Sequence, residues 1–317
     1  MGYGFRGHIG VAKETTWGSA TAVTSGNYVE ALSESLVTTL ERFESRNIIG
    51  GSYDPDDETG IQRNEGDIVA AAHPVQMGHF LKGAFGVNSV TSLGLGLFRN
   101  TFTVAQTDTS TMAPLPSYTF EIFRDVTSAN QFFGAQIGAL SLSIAPNQDL
   151  RMTASIIAKG RNSIAATTPT FPGSPAGVFK FTSASLEMGG AAAERFEALT
   201  INIDNQIEGI PGLNGSERIM KVKRTGPPLV AITGTVTFDD MTDKDSFLAQ
   251  TELAMRVTLI RANSFQLVIE VPRFIYTTFP DQMQGRDRVS VDFEGKGRYH
   301  AGSGTSLKIA LTTTNTY

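Results

Sequence analysis

RMTASIIAKGR, residues 151–161, and RVSVDFEGKGR, residues 288–298, decide how this chain is read. Each alternates apolar and polar side chains with a period of two, the signature of a strand with one buried face, and each closes on Lys-Gly-Arg. One offset of 137 residues relates Arg161 to Arg298, and the same offset relates TFEIFR at Thr119 to RVTLIR at Arg256. No gap is needed between these points. Both stretches hold a short strand ending in Arg124 or Arg261, a long strand-rich segment (FFGAQIGALSLSIAP or FQLVIEVPRFIYTTFP), a turn, and the alternating strand. Self-similarity at a fixed offset is the mark of a repeated unit.

The order of features persists upstream with other offsets. GDIVAAAHPVQMGHFLKGAFG begins at Gly66 and GTVTFDDMTDKDSFLAQTELAM begins at Gly234, an offset of 168, and each reads as a strand followed by a short helix. The fall from 168 to 137 places an insertion in the first copy, within Gly86–Ser117. Asp243 or Asp245 is the expected cap of the second helix, whose apolar side is Phe247, Leu248, Thr251 and Leu253; Pro74 suits the start of the first. ESLVTTLERF from Glu34 corresponds to EALTINIDNQ from Glu197, and each leads into a long Gly-rich, charged loop, at Asn47–Glu65 and Ile207–Pro228. Loops of that length in compact domains tend to carry function. The expected organisation is therefore a first domain over residues 1–161 with its insertion at about 86–117, a Pro/Thr/Ser linker over 162–177, and a second domain over 178–317.

Composition agrees with a mostly β fold. The 317 residues include 32 glycines, suited to tight turns, and abundant Thr, Ser and Val, suited to a pleat. Cysteine is absent, which excludes disulfides, thiolate metal sites and cysteine nucleophiles. No run of eighteen apolar residues and no signal-like N-terminus occurs, so synthesis in the cytoplasm and no membrane association are expected. The formal charge of −5 argues against a partner held by phosphate neutralisation. Acids concentrate between Glu14 and Asp67, where eleven face only Arg42, Arg46 and Arg63.

A search for chemistry finds no constellation. His8, His73, His79 and His300 do not fall at metal spacing, and no G-x-S-x-G elbow is present. DPDDETG (54–60) and DDMTDKD (239–245) lack the ligand spacing of a calcium loop, and GLGLF (94–98) is followed by no Gly-Lys-Ser/Thr. Trp17 and scattered tyrosines make no aromatic platform for a carbohydrate-binding β-sandwich module. No catalytic residue, cofactor or metal site is predicted, and the chain reads as a structural protein rather than an enzyme.

MGYGFRGHIGVAKETTWGSATAV at the N-terminus, YVEALSESL after it, and IIGGSYDPDDETGIQRNEGDIVAAAHP further on resemble tail tube proteins of long-tailed, siphovirus-type bacteriophages. The run Ile9–Ala20 is the most specific part, and the likeness covers nearly the whole chain. The resemblance implies two tandem β-sandwich or barrel domains, each with a short flanking helix, whose inner sheets join into a ring. It implies rings stacked into a virion tail tube, assembled in the bacterial host cytoplasm, through which double-stranded DNA passes without specific binding. Partners would be other copies of the chain, a trimer of two-domain chains being favoured over a hexamer, and the tape measure, terminator and distal tail proteins. A contractile-tail inner tube or a terminator component is the alternative within the same architecture. Under this reading Glu34, Glu41, Glu44 and Asp67 are candidates for the lumen or the ring interface, since they lie on or beside alternating strands in the acid-rich region. Tyr53, Asp54, Asp56, Asp57, Glu58, Asn214, Glu217 and Arg218, in the two long loops, are candidates for contacts between rings.

Overall fold

The computed structural model describes residues 2–44, 58–106, 115–172, 177–261, 264–281 and 288–317. The first half of the chain forms β1 (His8–Lys13), β2 (Tyr28–Val29), β3 (Ala31–Glu34), β4 (Val37–Phe43), β5 (Glu58–Ala71), α1 (Gly78–Phe85), β6 (Gly86–Gly94), β7 (Leu97–Val104), β8 (Tyr118–Phe123), β9 (Ala129–Ile144), β10 (Arg151–Ala158) and β11 (Gly160–Ile164). The second forms β12 (Ala184–Met188), β13 (Ala191–Ala192), β14 (Phe196–Asp204), β15 (Ile207–Ile210), β16 (Lys221–Arg224), β17 (Leu229–Thr237), α2 (Thr242–Leu248), β18 (Leu253–Ile260), β19 (Gln266–Thr278), β20 (Ser290–Gly297) and β21 (Lys308–Thr313). The fold is mostly β, and every named strand pair is antiparallel. The sheet is large and does not close into a barrel.

The two halves pair their strands in the same order. In the first, β2 lies on β1, β1 on β8 and β8 on β9, while β4 lies on β5, β5 on β10 and β10 on β9. In the second, β13, β12, β18 and β19 follow one another, as do β14, β17, β20 and β19. Each half thus has an outer layer and an inner layer joined by one long strand, β9 or β19. The halves also pair with each other: β14 adds to the free side of β9, from Leu199 opposite Ile144 to Asp204 opposite Ala139, and β21 pairs with β7.

The single offset of 137 holds only up to the long strand. Phe120 faces Phe132, and 137 residues on, Val257 faces Ile269. Gly160, however, faces Phe133, whereas Gly297 faces Phe274, which is 141 residues beyond Phe133. The second half changes layers four residues later, with a ladder irregularity between Tyr276 and Thr278. An even shift preserves the face that each side chain takes, so the hydrophobic pattern tolerates it. The two Lys-Gly-Arg ends therefore occupy different places: Lys159 lies over the Trp17 ring, while Lys296 stands beside Ala231 on the solvent side of the inner sheet.

The inner faces of both layers meet in one core. Ile68, Met152, Ala154, Leu140 and Leu142 continue into Ile201, Ile203, Val230, Ile232, Val291 and Phe293, all buried. Helix α1 is buried around Phe80, Leu81, Ala84 and Phe85, and Gly86 ends it at φ 81°, a conformation that glycine adopts without strain. A side chain at Gly78 would run into the ring of Tyr317, whose hydroxyl donates to the Val75 carbonyl. Helix α2 buries only Asp243. Asp243 is not a cap: its carboxylate takes both Arg195 Nε (2.5 Å) and Nη2 (2.7 Å) and the Tyr276 hydroxyl (2.9 Å), while Asp240 accepts the backbone N–H of Thr242.

Several expected boundaries move. Glu58–Glu65, read as the end of a loop, belongs to β5, and Ile207–Pro228 contains the hairpin β15–β16. Asn162–Ile164, assigned to the linker, continues β11. Further along, Thr167 donates its N–H and hydroxyl to the buried Glu121 carboxylate, which also meets His8. The insertion provides the hairpin β6–β7, which packs over α1 and carries β21 on its other side.

Candidate functional site: an open polar face and two free sheet edges

The inner layers of the two halves form one continuous surface of eight strands, in the order β4, β5, β10, β9, β14, β17, β20 and β19. One face is the core. The other is crossed by rows of directly opposed residues that pass from one half into the other without a break. One row is Ala71, Arg151, Ser143, Thr200, Thr233, Glu294 and Thr278; a second is Val69, Thr153, Ser141, Asn202, Ala231 and Lys296; a third is Asp67, Ser155, Ala139, Asp204 and Leu229. Small polar side chains dominate, as period-two strands with one solvated face require.

Among the described residues the acids Glu41, Glu65, Asp67, Asp204, Asp292 and Glu294 stand on this face, interspersed with bases that include Arg63, Arg151 and Lys296. Arg63 is bound to Glu41 at 2.7 Å, and this contact holds the guanidinium further above its ordinary range. Asp67 accepts from Ser155 Oγ at 2.6 Å, and Asp292 from Thr235 Oγ1 at 2.7 Å. These contacts fix carboxylates in place and leave their charge standing at the surface.

The acid-rich stretch supplies only part of that charge. Glu14 is buried, with Gly18 N–H, Thr119 Oγ1 and Gly134 N–H all donating to it. Glu34 lies opposite Ile68, on the core side of its strand, and its carboxylate is held in a two-pronged pair by Arg124 at 2.6 and 2.8 Å. Glu44 is exposed just beyond the end of β4. Of the four lumen candidates, the structure therefore brings Glu41 and Asp67 onto the open face. Composition missed Asp204, Asp292 and Glu294, which their alternation in β14 and β20 would have marked.

The face ends in two unpaired edges. Among the described residues β4 pairs with β5 alone, and the Tyr276–Thr278 end of β19 pairs with β20 alone. Val37 and Leu40, on β4, are 53% and 49% exposed. The corresponding strands at the internal joint, β14 and β9, are each paired on both sides.

Of the loop candidates, Tyr53, Asp54, Asp56 and Asp57 lie outside the described residues, and Glu58 opens β5 opposite Phe43. Asn214 stands exposed at the tip of β15–β16, next to the fully exposed Leu213. Glu217 and Arg218 instead fasten this hairpin to the first half. The Glu217 carbonyl accepts from Gln62 N–H (2.8 Å), its carboxylate accepts from Thr59 Oγ1 (3.0 Å), and the Arg218 guanidinium lies 5.2 Å from the Phe133 ring centre.

No group of three or more metal-ligating side chains occurs among the described residues. The surface is built for contact, with a sheet open at both edges and a face of small polar groups between them. No curated protein matches the chain. The model of the phage tail tube protein family matches residues 4–297, nearly the whole length, and the chain belongs to that family.

Proposed function

We propose that this tail tube protein closes into rings of three chains, stacked into a tube whose lumen is the open polar face, and that the genome passes through it. The observation that carries the proposal is the internal joint. Beside β9 stands β14, but the Tyr276–Thr278 end of β19 has β20 as its one neighbour among the described residues; beside β14 stands β9, but β4 has β5 alone. The two vacancies are complementary, so β4 of a second copy fits beside β19 as β14 fits beside β9. Such a contact is head-to-tail, and when its rotation closes it makes a ring in which no edge remains exposed. Three chains then alternate internal and external joints around a pseudo-sixfold ring, which accounts for two similar halves in one polypeptide.

The chain is accordingly read as two tandem tube domains, the second repeating the strand order of the first. The charge of the open face suits a DNA conduit, because an acidic wall repels phosphate and keeps it from sticking. The tips of the two long loops, with Leu213 on the second, are assigned to contacts between rings. Assembly in the host cytoplasm with the tape measure, terminator and distal tail proteins completes the reading.

Native mass spectrometry and electron microscopy of the purified protein test it. Trimers and filaments are expected from the natural sequence, whereas V37K combined with L40K, which charges the free edge of β4, leaves folded monomers with an unchanged melting temperature. A natural chain that stays monomeric at every concentration, or a double variant that still forms tubes, refutes the joint.

A further inference from the structure

The tip of β15–β16 carries a chemical feature that the tube reading does not use. Asn214 precedes Gly215, both are exposed, and Gly215 sits at φ 68° with no atom within 4 Å of where a Cβ would stand. The backbone N–H of Ser216 donates to Asn214 Oδ1 at 3.1 Å. We propose that Asn214 is a site of spontaneous deamidation.

The backbone nitrogen of Gly215, on losing its proton to hydroxide, attacks Cγ of Asn214. The N–Cγ bond forms, the Cγ–Nδ2 bond breaks, and ammonia leaves, giving a five-membered succinimide. Water then adds to one of the two ring carbonyls, and opening yields aspartate or isoaspartate. One water is consumed and one ammonia released, with no change in oxidation state. Three features of the tip favour this reaction. Glycine at the attacking position presents no side chain to obstruct closure, and an exposed turn lets the backbone reach the required geometry. The Ser216 N–H polarises the Cγ carbonyl, drawing electron density from the carbon under attack.

Other asparagines among the described residues lack this combination. Asn88 and Asn162, each followed by serine, lie within β6 and β11, where a ladder holds the backbone; Asn88 Nδ2 also donates to the Tyr317 carbonyl at 2.9 Å. Asn205 is buried, with Nδ2 donating to the Ala84 carbonyl at 2.8 Å. Conversion places a new carboxylate three residues from Glu217, the side chain that ties the hairpin to Thr59. The isoaspartate product also inserts a methylene between Cα of residue 214 and the peptide bond to Gly215, which lengthens the main chain at the tip. The chemistry is independent of ring stacking, although its product alters a tip assigned to that contact.

The test ages the full-length folded protein at mildly alkaline pH and maps its peptides by mass spectrometry, with isoaspartate detected by enzymatic methylation. Most of the Asn214 peptide is expected to convert while the Asn88, Asn162 and Asn205 peptides keep their amides, and N214Q abolishes the isoaspartate signal. Retention of the Asn214 amide, or conversion of the other asparagines at a similar rate, overturns the proposal.

Discussion

The carboxylate of Glu14 accepts the backbone N–H of Gly134 at 2.7 Å, joining the segment after β1 to the middle of β9, 120 residues away. The same oxygen takes Thr119 Oγ1, and the other takes the N–H of Gly18. Nearby, the Trp17 indole N–H donates to the Gly134 carbonyl while Lys159 covers its ring. The Ile9–Ala20 run is thus a latch across the first half, which explains why Trp17 is not available as a binding platform. Replacing Glu14 with glutamine turns one acceptor into a donor facing a buried N–H. E14Q should lower unfolding free energy by about 1–3 kcal/mol, the cost of an unsatisfied buried group, read by chemical denaturation.

Acid should weaken the first half through His79. Its imidazole packs edge-on between the rings of Tyr118 and Tyr317, and burial lowers its pKa from 6.5 to about 4, with the charge of Lys13 adding to the effect. Lys82, whose pKa burial also lowers, is the other titratable side chain on the helix. The unfolded chain takes up a proton near 6.5 and the folded chain only near 4, so unfolding binds protons across that window. The stability given by the neutral ring is complete above pH 6.5 and falls as pH drops toward 4, by roughly 3 kcal/mol. H79F should flatten this part of the stability profile; an unchanged slope would assign the acid sensitivity elsewhere.

Charge reversal on the open face should act on passage rather than assembly. D67K and D292K place cations on the polar side of β5 and β20, one strand in from the free edges. Tubes of normal length are expected, with slowed genome release in a phage ejection assay because phosphates now adhere to the wall. Unaltered ejection kinetics would remove this face from the DNA path.

The strand content was legible in the sequence because period-two alternation is a local property. The inner strands β10 and β20 fall where RMTASIIA and SVDFEGKG alternate, and α1 and α2 lie inside the segments that read as strand followed by helix. Pairing between strands is not local, so the joint of β14 with β9 and the attachment of β21 to β7 left no trace in periodicity. The four-residue slip between the halves escaped for a related reason, since it preserves the alternation. Glu14 and Glu34 show the limit of counting charge: a cluster in sequence was read as a surface, yet one carboxylate is buried under backbone donors and the other is neutralised by Arg124. Asp243 or Asp245 was read as a helix cap from position, and the arginine and tyrosine that claim Asp243 arrive from the turn before β14 and from β19.

The pairing of β7 with β21 sets Phe102 opposite Ile309. As the polypeptide leaves the ribosome, the β6–β7 hairpin must wait for all the residues between Phe102 and Ile309 before its second partner exists. Contacts so distant in sequence slow folding, because loop closure precedes the gain from pairing. An emerging chain therefore leaves the second side of β7 unpaired until Lys308–Thr313 has been made, so this tie between the two halves forms late in synthesis.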